Sequence, residues 1–203
     1  MKNRQEELIK QMTDKELLFH LYLTQILLLT ISLILGMILF DEFSSFIELF
    51  RFNDANSYLI GGTVGLGVVI LDHVLMKILP PRFYDDGGLN NRIFRNKGIL
   101  QIAFIAGVVA FSEEILFRGI IQTHFGLIVS SCIFAIVHFR YLFNWFLFTN
   151  IVALSFLIGF IYDTSGNLVE TIFMHFVIDF LLGIIISISQ KKKDDEQEGI
   201  TNE

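Results

Sequence analysis

The chain alternates long apolar runs with short polar connectors, and that pattern is the first guide to its architecture. Six runs stand out, at 17–40, 58–79, 99–122, 125–139, 142–161 and 168–190. Crossing the hydrocarbon core of a bilayer takes roughly 20 residues of helix. The fourth run falls short of that; it either tilts or continues through the aromatic stretch 141–145. A membrane barrel would show alternation rather than continuous apolar runs, whereas a helix satisfies its own backbone hydrogen bonds in lipid. The pattern predicts an all-α fold, a polytopic transmembrane helical bundle of about six spans.

The connectors set the expected orientation. With the N-terminus in the cytoplasm, 13 of the 15 Lys and Arg residues fall on the inner side, Arg51 alone lies outside, and Arg118 is within a span. An excess of cations marks cytoplasmic loops, so both termini are expected there, in a multi-pass protein of a bacterial plasma membrane. Residues 41–57 form an acidic, aromatic outer loop. Residues 80–98 form a cytoplasmic loop broken by Pro80-Pro81 and loosened by the glycines at 87 and 88. The organisation expected is a cytoplasmic N-terminal segment (1–16), two accessory spans with their loops (17–98), a core (99–190) and a disordered charged cytoplasmic tail (191–203). No secretory signal is expected, since the first apolar run is too long for a cleavable one.

Composition agrees and narrows the function classes. Hydrophobic residues make up 53% and charged residues 18%, against about a quarter charged in a soluble domain. The net charge of −6 comes from acidic loops and tail and offers no surface for nucleic acid. The single cysteine, Cys132, has no intrachain partner and reads as a small buried hydrophobe.

Against this background a few residues are out of place. Each charge at a helix centre costs about 2.5–3.5 kcal/mol to insert. Yet the third run holds Glu113, Glu114 and Arg118, the fourth ends near His138, and the sixth holds His175 and Asp179. Glu114 and Arg118 are four apart, on one helical face, which suits a structural ion pair. Glu113 is rotated by about 100° from Glu114 and is left free for chemistry. His175 and Asp179 share a face in the same way, as do Phe134 and His138. Singly, each has a plain reading: an ion pair, an interfacial histidine, a buried polar pair fixing helix packing. Together, three helices offering carboxylate or imidazole at one-turn spacing point to a site. Asp72 and His73 near Lys77 read as a surface ion pair, and His20 and His124 as boundary residues.

The segment Phe111-Ser112-Glu113-Glu114-Ile115-Leu116-Phe117-Arg118-Gly119 resembles the first motif of the CPBP family, Glu-Glu-x-x-x-Arg. That family contains the CAAX prenyl endopeptidases of the Rce1 type and many bacterial relatives. Phe134 to His138 is similar to its second motif, Phe-x-x-x-His, and His175 to Asp179 to its third, His-x-x-x-Asn/Asp, here in the Asp form. The three motifs stand in the family's order on separate runs, over about 99–182. The resemblance implies an intramembrane endopeptidase whose polar site lies among the last four spans and which acts on a hydrophobic or membrane-anchored peptide. Glu113 would then activate water, with His138, His175 and Asp179 around the scissile carbonyl and Glu114 and Arg118 in support. Glu113, His138 and His175 would also make a two-His, one-carboxylate zinc set with room for water, so the choice between a glutamate and a metal mechanism stays open. Two other readings compete. One is a peptide-binding, bacteriocin-immunity protein of the same fold; the other is a proton-coupled carrier, against which stands the lack of repeated halves.

Overall fold

The computed structural model describes residues 11–84 and 86–201. Helix α1 spans Asp14–Leu39 and begins at a capping box, in which Thr13 Oγ1 accepts from the Glu16 amide while Glu16 reaches back to the Thr13 amide. A short α2 (Phe43–Ile47) follows in the acidic loop, and α3 (Ala55–Ile78) starts where the Asp54 carboxylate accepts from the Asn56 amide. Beyond a 3-10 turn at Pro81–Phe83 lie α4 (Leu89–Phe94) and α5 (Ile99–Glu114). The chain then runs through a π-helical segment (Ile115–Gln122), α6 (Thr123–Val137), a 3-10 turn (Phe139–Phe143), α7 (Trp145–Ser165) and α8 (Leu168–Thr201). Among the described residues there is no strand.

Five helices are long and apolar enough to cross a membrane, where the sequence predicts about six spans. The difference lies in Ile99–Val137, a single helical path of 39 residues. Its backbone breaks at Gly126, whose φ of 82° and ψ of 170° lie outside the helical range, a conformation open to glycine because it has no Cβ. Beyond the break the chain folds back on itself. Ser130 Oγ donates to the Phe117 carbonyl at 2.7 Å although the two are 13 residues apart, a separation of about 20 Å in a straight helix. The third and fourth apolar runs are therefore two legs of one hairpin, and the second leg ends at Val137, short of a full span.

One boundary expectation also changes. The last helix continues to Thr201, where a disordered tail was expected from 191; that stretch has no Pro and is rich in Lys, Glu and Gln, which favour helix. Of the expected N-terminal segment 1–16, residues 1–10 lie outside the described residues.

Helix α8 packs against α3, α5 and α7. Its seam with α3 is a stripe of small residues at every fourth position: Ser57, Gly61 and Gly65 are buried, followed by Val69. A Cβ on Gly61 would lie 2.7 Å from the Glu170 carbonyl oxygen, and one on Gly65 would lie 3.0 Å from that of Met174. Such close backbone approach is how helices associate where no hydrophobic effect drives them together. At the end of the bundle nearest Arg51, the Asn167 side chain ties the loop to α8. Its Oδ1 accepts from the Arg51 and Val169 amides, and its Nδ2 donates to the Arg51 carbonyl and to Ser57 Oγ at 2.8 Å. At the opposite end Phe83 meets Trp145 and Phe146 edge-on, at 5.9 and 5.8 Å between centroids.

The seam generates a test. Gly61→Val is expected to cost about 1–3 kcal/mol, the penalty for overpacking, and to lower the melting temperature of the purified protein in detergent. Gly67→Ala, on the same helix but with nothing within 4 Å of its added Cβ, is expected to leave the melting temperature unchanged or raised, as Ala favours helix over Gly.

Candidate functional site

The hairpin at Gly126 brings its two legs together around Arg118, which lies in the π-helical segment and is fully buried with Glu114. Hydrogen bonds of the i→i−5 type widen this part of the helix, as when the Thr123 amide donates to the Arg118 carbonyl. All eight residues of the segment are buried. Arg118 Nε faces Glu114 Oε2 at 3.4 Å, an ion pair without hydrogen-bond geometry. Arg118 Nη1 donates to Ser130 Oγ, and Nη2 to both Oγ and the carbonyl of Ser155, all at 3.2 Å. The guanidinium carbon also stands 5.5 Å from the centre of the Phe134 ring, a favourable cation–π arrangement. The other carboxylate oxygen of Glu114 accepts from His175 Nδ1 at 2.9 Å.

The pairing of Glu114 with Arg118 agrees with the spacing argument, but three of its companions were missed. Ser130 and Ser155 are small polar residues inside apolar runs, and that was the available signal. The Glu114–His175 bond joins α5 to α8 and leaves no mark in the spacing of either helix. Nor does the bond of Ser112 Oγ to Gln25 Oε1 at 2.7 Å, which ties α5 to α1.

Burial separates the remaining polar groups from this node. Glu113 and His138 are half-buried, and the Asp179 side chain keeps 31% of its surface. Asp179 interacts electrostatically with Glu113, His138 and His175, and its Oδ2 lies 3.6 Å from His175 Nε2. Glu113 in turn interacts with His175, Glu114 and Arg118. The hairpin accounts for this meeting of α5, α6 and α8: Glu113 lies 13 residues before Gly126 and His138 lies 12 after it. Counted from the reversal, both stand at a depth of roughly 18–20 Å. His138 is the residue at which α6 ends, and its Nδ1 is 2.9 Å from the Phe134 carbonyl. Because a carbonyl only accepts, Nδ1 carries the proton and Nε2 is the open edge of the ring.

The zinc set offered by the sequence is not assembled. Among the described residues no three His, Cys, Asp or Glu side chains are grouped to hold a metal ion. His175 has Nδ1 engaged by Glu114, and its Nε2 faces Asp179. Of the residues set aside earlier, Asp72 interacts with His73, and His124 bonds the Ile120 carbonyl through Nδ1 and meets the Phe40 ring edge-on. Cys132 is exposed on the bundle surface rather than buried as expected, since it lies on the side of α6 turned away from the hairpin.

A family model described as type II CAAX prenyl endopeptidase Rce1-like matches residues 95–181, the stretch that holds every residue of this cluster. The chain is 36% identical over 178 residues to the protein YpbD of Bacillus subtilis (strain 168), covering 88% of this chain and 94% of that one. It is 28% identical over 108 residues to the UPF0177 protein YxdF of Lactococcus lactis subsp. lactis (strain IL1403), covering 51% and 59% respectively. No solved structure gives a significant match.

Removing one partner of a buried ion pair leaves the other charge uncompensated, at a cost of about 3–5 kcal/mol. Arg118→Met is therefore expected to destabilise the protein by that amount in thermal or denaturant unfolding. The paired change Arg118→Met with Glu114→Gln should recover part of the loss, and a double variant no more stable than the single one would sink the ion-pair reading.

Proposed function

This chain belongs to the type II CAAX prenyl endopeptidase Rce1-like family, and we propose that it is an intramembrane endopeptidase in which Glu113 activates the attacking water. One observation carries the assignment. Of the two adjacent glutamates, Glu114 is fully buried and committed to Arg118 and His175, whereas Glu113 is half-buried. A base must reach both water and substrate, and only Glu113 has room to do so.

In this reading Glu113 takes a proton from water as the hydroxide adds to the scissile carbonyl carbon, and returns it to the departing amine as the C–N bond breaks. His138 holds the water through Nε2. His175 presents Nε2 to the carbonyl oxygen, where a protonated nitrogen donates a hydrogen bond to the developing oxyanion. Asp179 orients that ring from 3.6 Å; as a carboxylate it cannot itself donate to the oxyanion. The grouping of the side chains supports a metal-free glutamate mechanism, since among the described residues no three His, Cys, Asp or Glu stand together to hold an ion. The substrate class that suits a site among membrane helices is a hydrophobic or membrane-anchored peptide. The cationic loops support a multi-pass protein of the cell membrane with both termini in the cytoplasm.

The test is cleavage of a library of hydrophobic and membrane-tail peptides by the purified protein. Glu113→Gln and His138→Ala are each expected to lower the rate by about 10²–10⁴-fold without lowering the melting temperature, and wild-type cleavage should persist in chelator. Full activity in Glu113→Gln, or a rate abolished by chelator and restored by zinc, would overturn the assignment.

A further inference from the structure

The environment of His138 extends beyond the residues used so far. Phe134 stacks on one face of the imidazole, with centroids 4.3 Å apart and planes inclined by 25°. The Tyr141 ring also lies near-parallel to the imidazole, at 6.4 Å and 19°. Both rings are faced by a cation: the Arg118 guanidinium stands 5.5 Å from the centre of Phe134, and that of Arg140 stands 4.3 Å from the centre of Tyr141. Arg140 Nη2 also donates to Tyr141 Oη. His138 is thus in ring contact with residues on both sides of it in sequence, Phe134 from α6 and Tyr141 from the turn that follows, and each of those rings meets a guanidinium.

We propose that Tyr141, held by Arg140, is a positioning residue for His138: its ring contact keeps the imidazole plane in place, with Nδ1 on the Phe134 carbonyl and Nε2 as the working edge. Half of this clamp, from Phe134, comes with the helix, since residues four apart stack on one face. The other half cannot, because α6 stops at Val137. The 3-10 turn at Phe139–Phe143 supplies it by carrying Tyr141 back alongside His138, and the Tyr141 amide donates to the His138 carbonyl at 3.0 Å to fix that turn. The bond from Nδ1 to the Phe134 carbonyl selects the tautomer, and it lasts only while the imidazole is held in the plane that lets it form. The charged groups that face His138 are Arg140 from the turn and His175 and Asp179 from α8, and none of the three restrains the ring plane. Tyr141 does, by ring contact, and Arg140 keeps Tyr141 in place through its bond to the hydroxyl and its position over the ring.

The kinetic arm of the test rests on the proteolytic reading, and the spectroscopic arm does not. With selectively ¹⁵N-labelled histidine, and His138→Ala to assign the signal, wild type is expected to show a single tautomer with the proton on Nδ1. Tyr141→Phe keeps the ring and should keep that signature. Tyr141→Leu, or Tyr141→Met where the leucine variant does not fold, should give mixed tautomers. In cleavage assays the ring-less variants are expected to lose about 3- to 10-fold in kcat, the worth of one aromatic contact, with KM unchanged, and Tyr141→Phe should restore most of it. A ring-less variant that keeps both the wild-type tautomer and the wild-type kcat overturns the proposal. If wild type cleaves nothing, the proteolytic reading fails, while the tautomer measurement still decides whether Tyr141 clamps His138.

Discussion

A guanidinium with no exposure, set among membrane helices, has to find every partner inside the protein. Water is unavailable, and an unmatched charge at that depth would oppose insertion by several kcal/mol. Arg118 meets the constraint by drawing on Glu114 from α5, Ser130 and Phe134 from α6, and Ser155 from α7. Glu114 passes the connection on to His175 in α8. One cation therefore fixes the relative positions of four consecutive helices. A buried ion pair of this kind adds little net stability against a well-packed apolar alternative. Its effect here is on arrangement, because helices whose surfaces are uniformly apolar have few other means of choosing one register over another.

The other polar groups of the cluster inherit their positions from that node. Glu113 follows the same backbone as Glu114 but points about 100° away, so fixing Glu114 aims Glu113. Fixing His175 through Nδ1 sets the face on which Asp179, one turn later, must lie. His138 is placed by the hairpin instead: Ser130 bonds both Arg118 and the Phe117 carbonyl, which pins the second leg against the π-helical segment and sets how deep it ends. Gly126 makes this possible with one backbone conformation that a residue bearing a Cβ rarely adopts.

Much of this was legible in the sequence. Lipid leaves only helix as an open choice for long apolar runs, so the fold class and the approximate places of the long helices followed from hydropathy alone. The out-of-place charges and histidines named the cluster, because hydrocarbon tolerates few of them. What could not be read was the relation between the third and fourth runs. Taken as two full spans they put Glu113 at mid-depth and His138 near the membrane edge, a mismatch of more than 10 Å by rise per residue. The mismatch disappears once depth is counted from Gly126, but which of the 15 glycines reverses the chain has no signature in composition or period. The partnership of Glu114 with His175 was hidden for a related reason. Spacing reports which residues share a face of one helix, and a bond between helices depends on crossing geometry that spacing does not encode.

The shortness of the second leg bears on how a site at this depth can be reached at all. Had α6 run straight on as a full span, residues 138–144 would have packed against neighbouring helices as the preceding turns do, and the node's complete burial would have extended over the whole cluster. Instead the helix ends at His138, the chain tightens into a 3-10 turn, and α7 begins at Trp145 beside Phe83. Glu113, His138 and Asp179 keep part of their surface at that level, while Glu114 and Arg118 keep none. At the other end, Asn167 and the packing of Phe46 and Phe50 with Tyr162 and Leu168 close the bundle. Exposure is thus asymmetric along the bundle axis, and the asymmetry follows from the point at which one helix stops: a terminated helix frees volume that a continuous one would fill, and it does so next to the His138 imidazole.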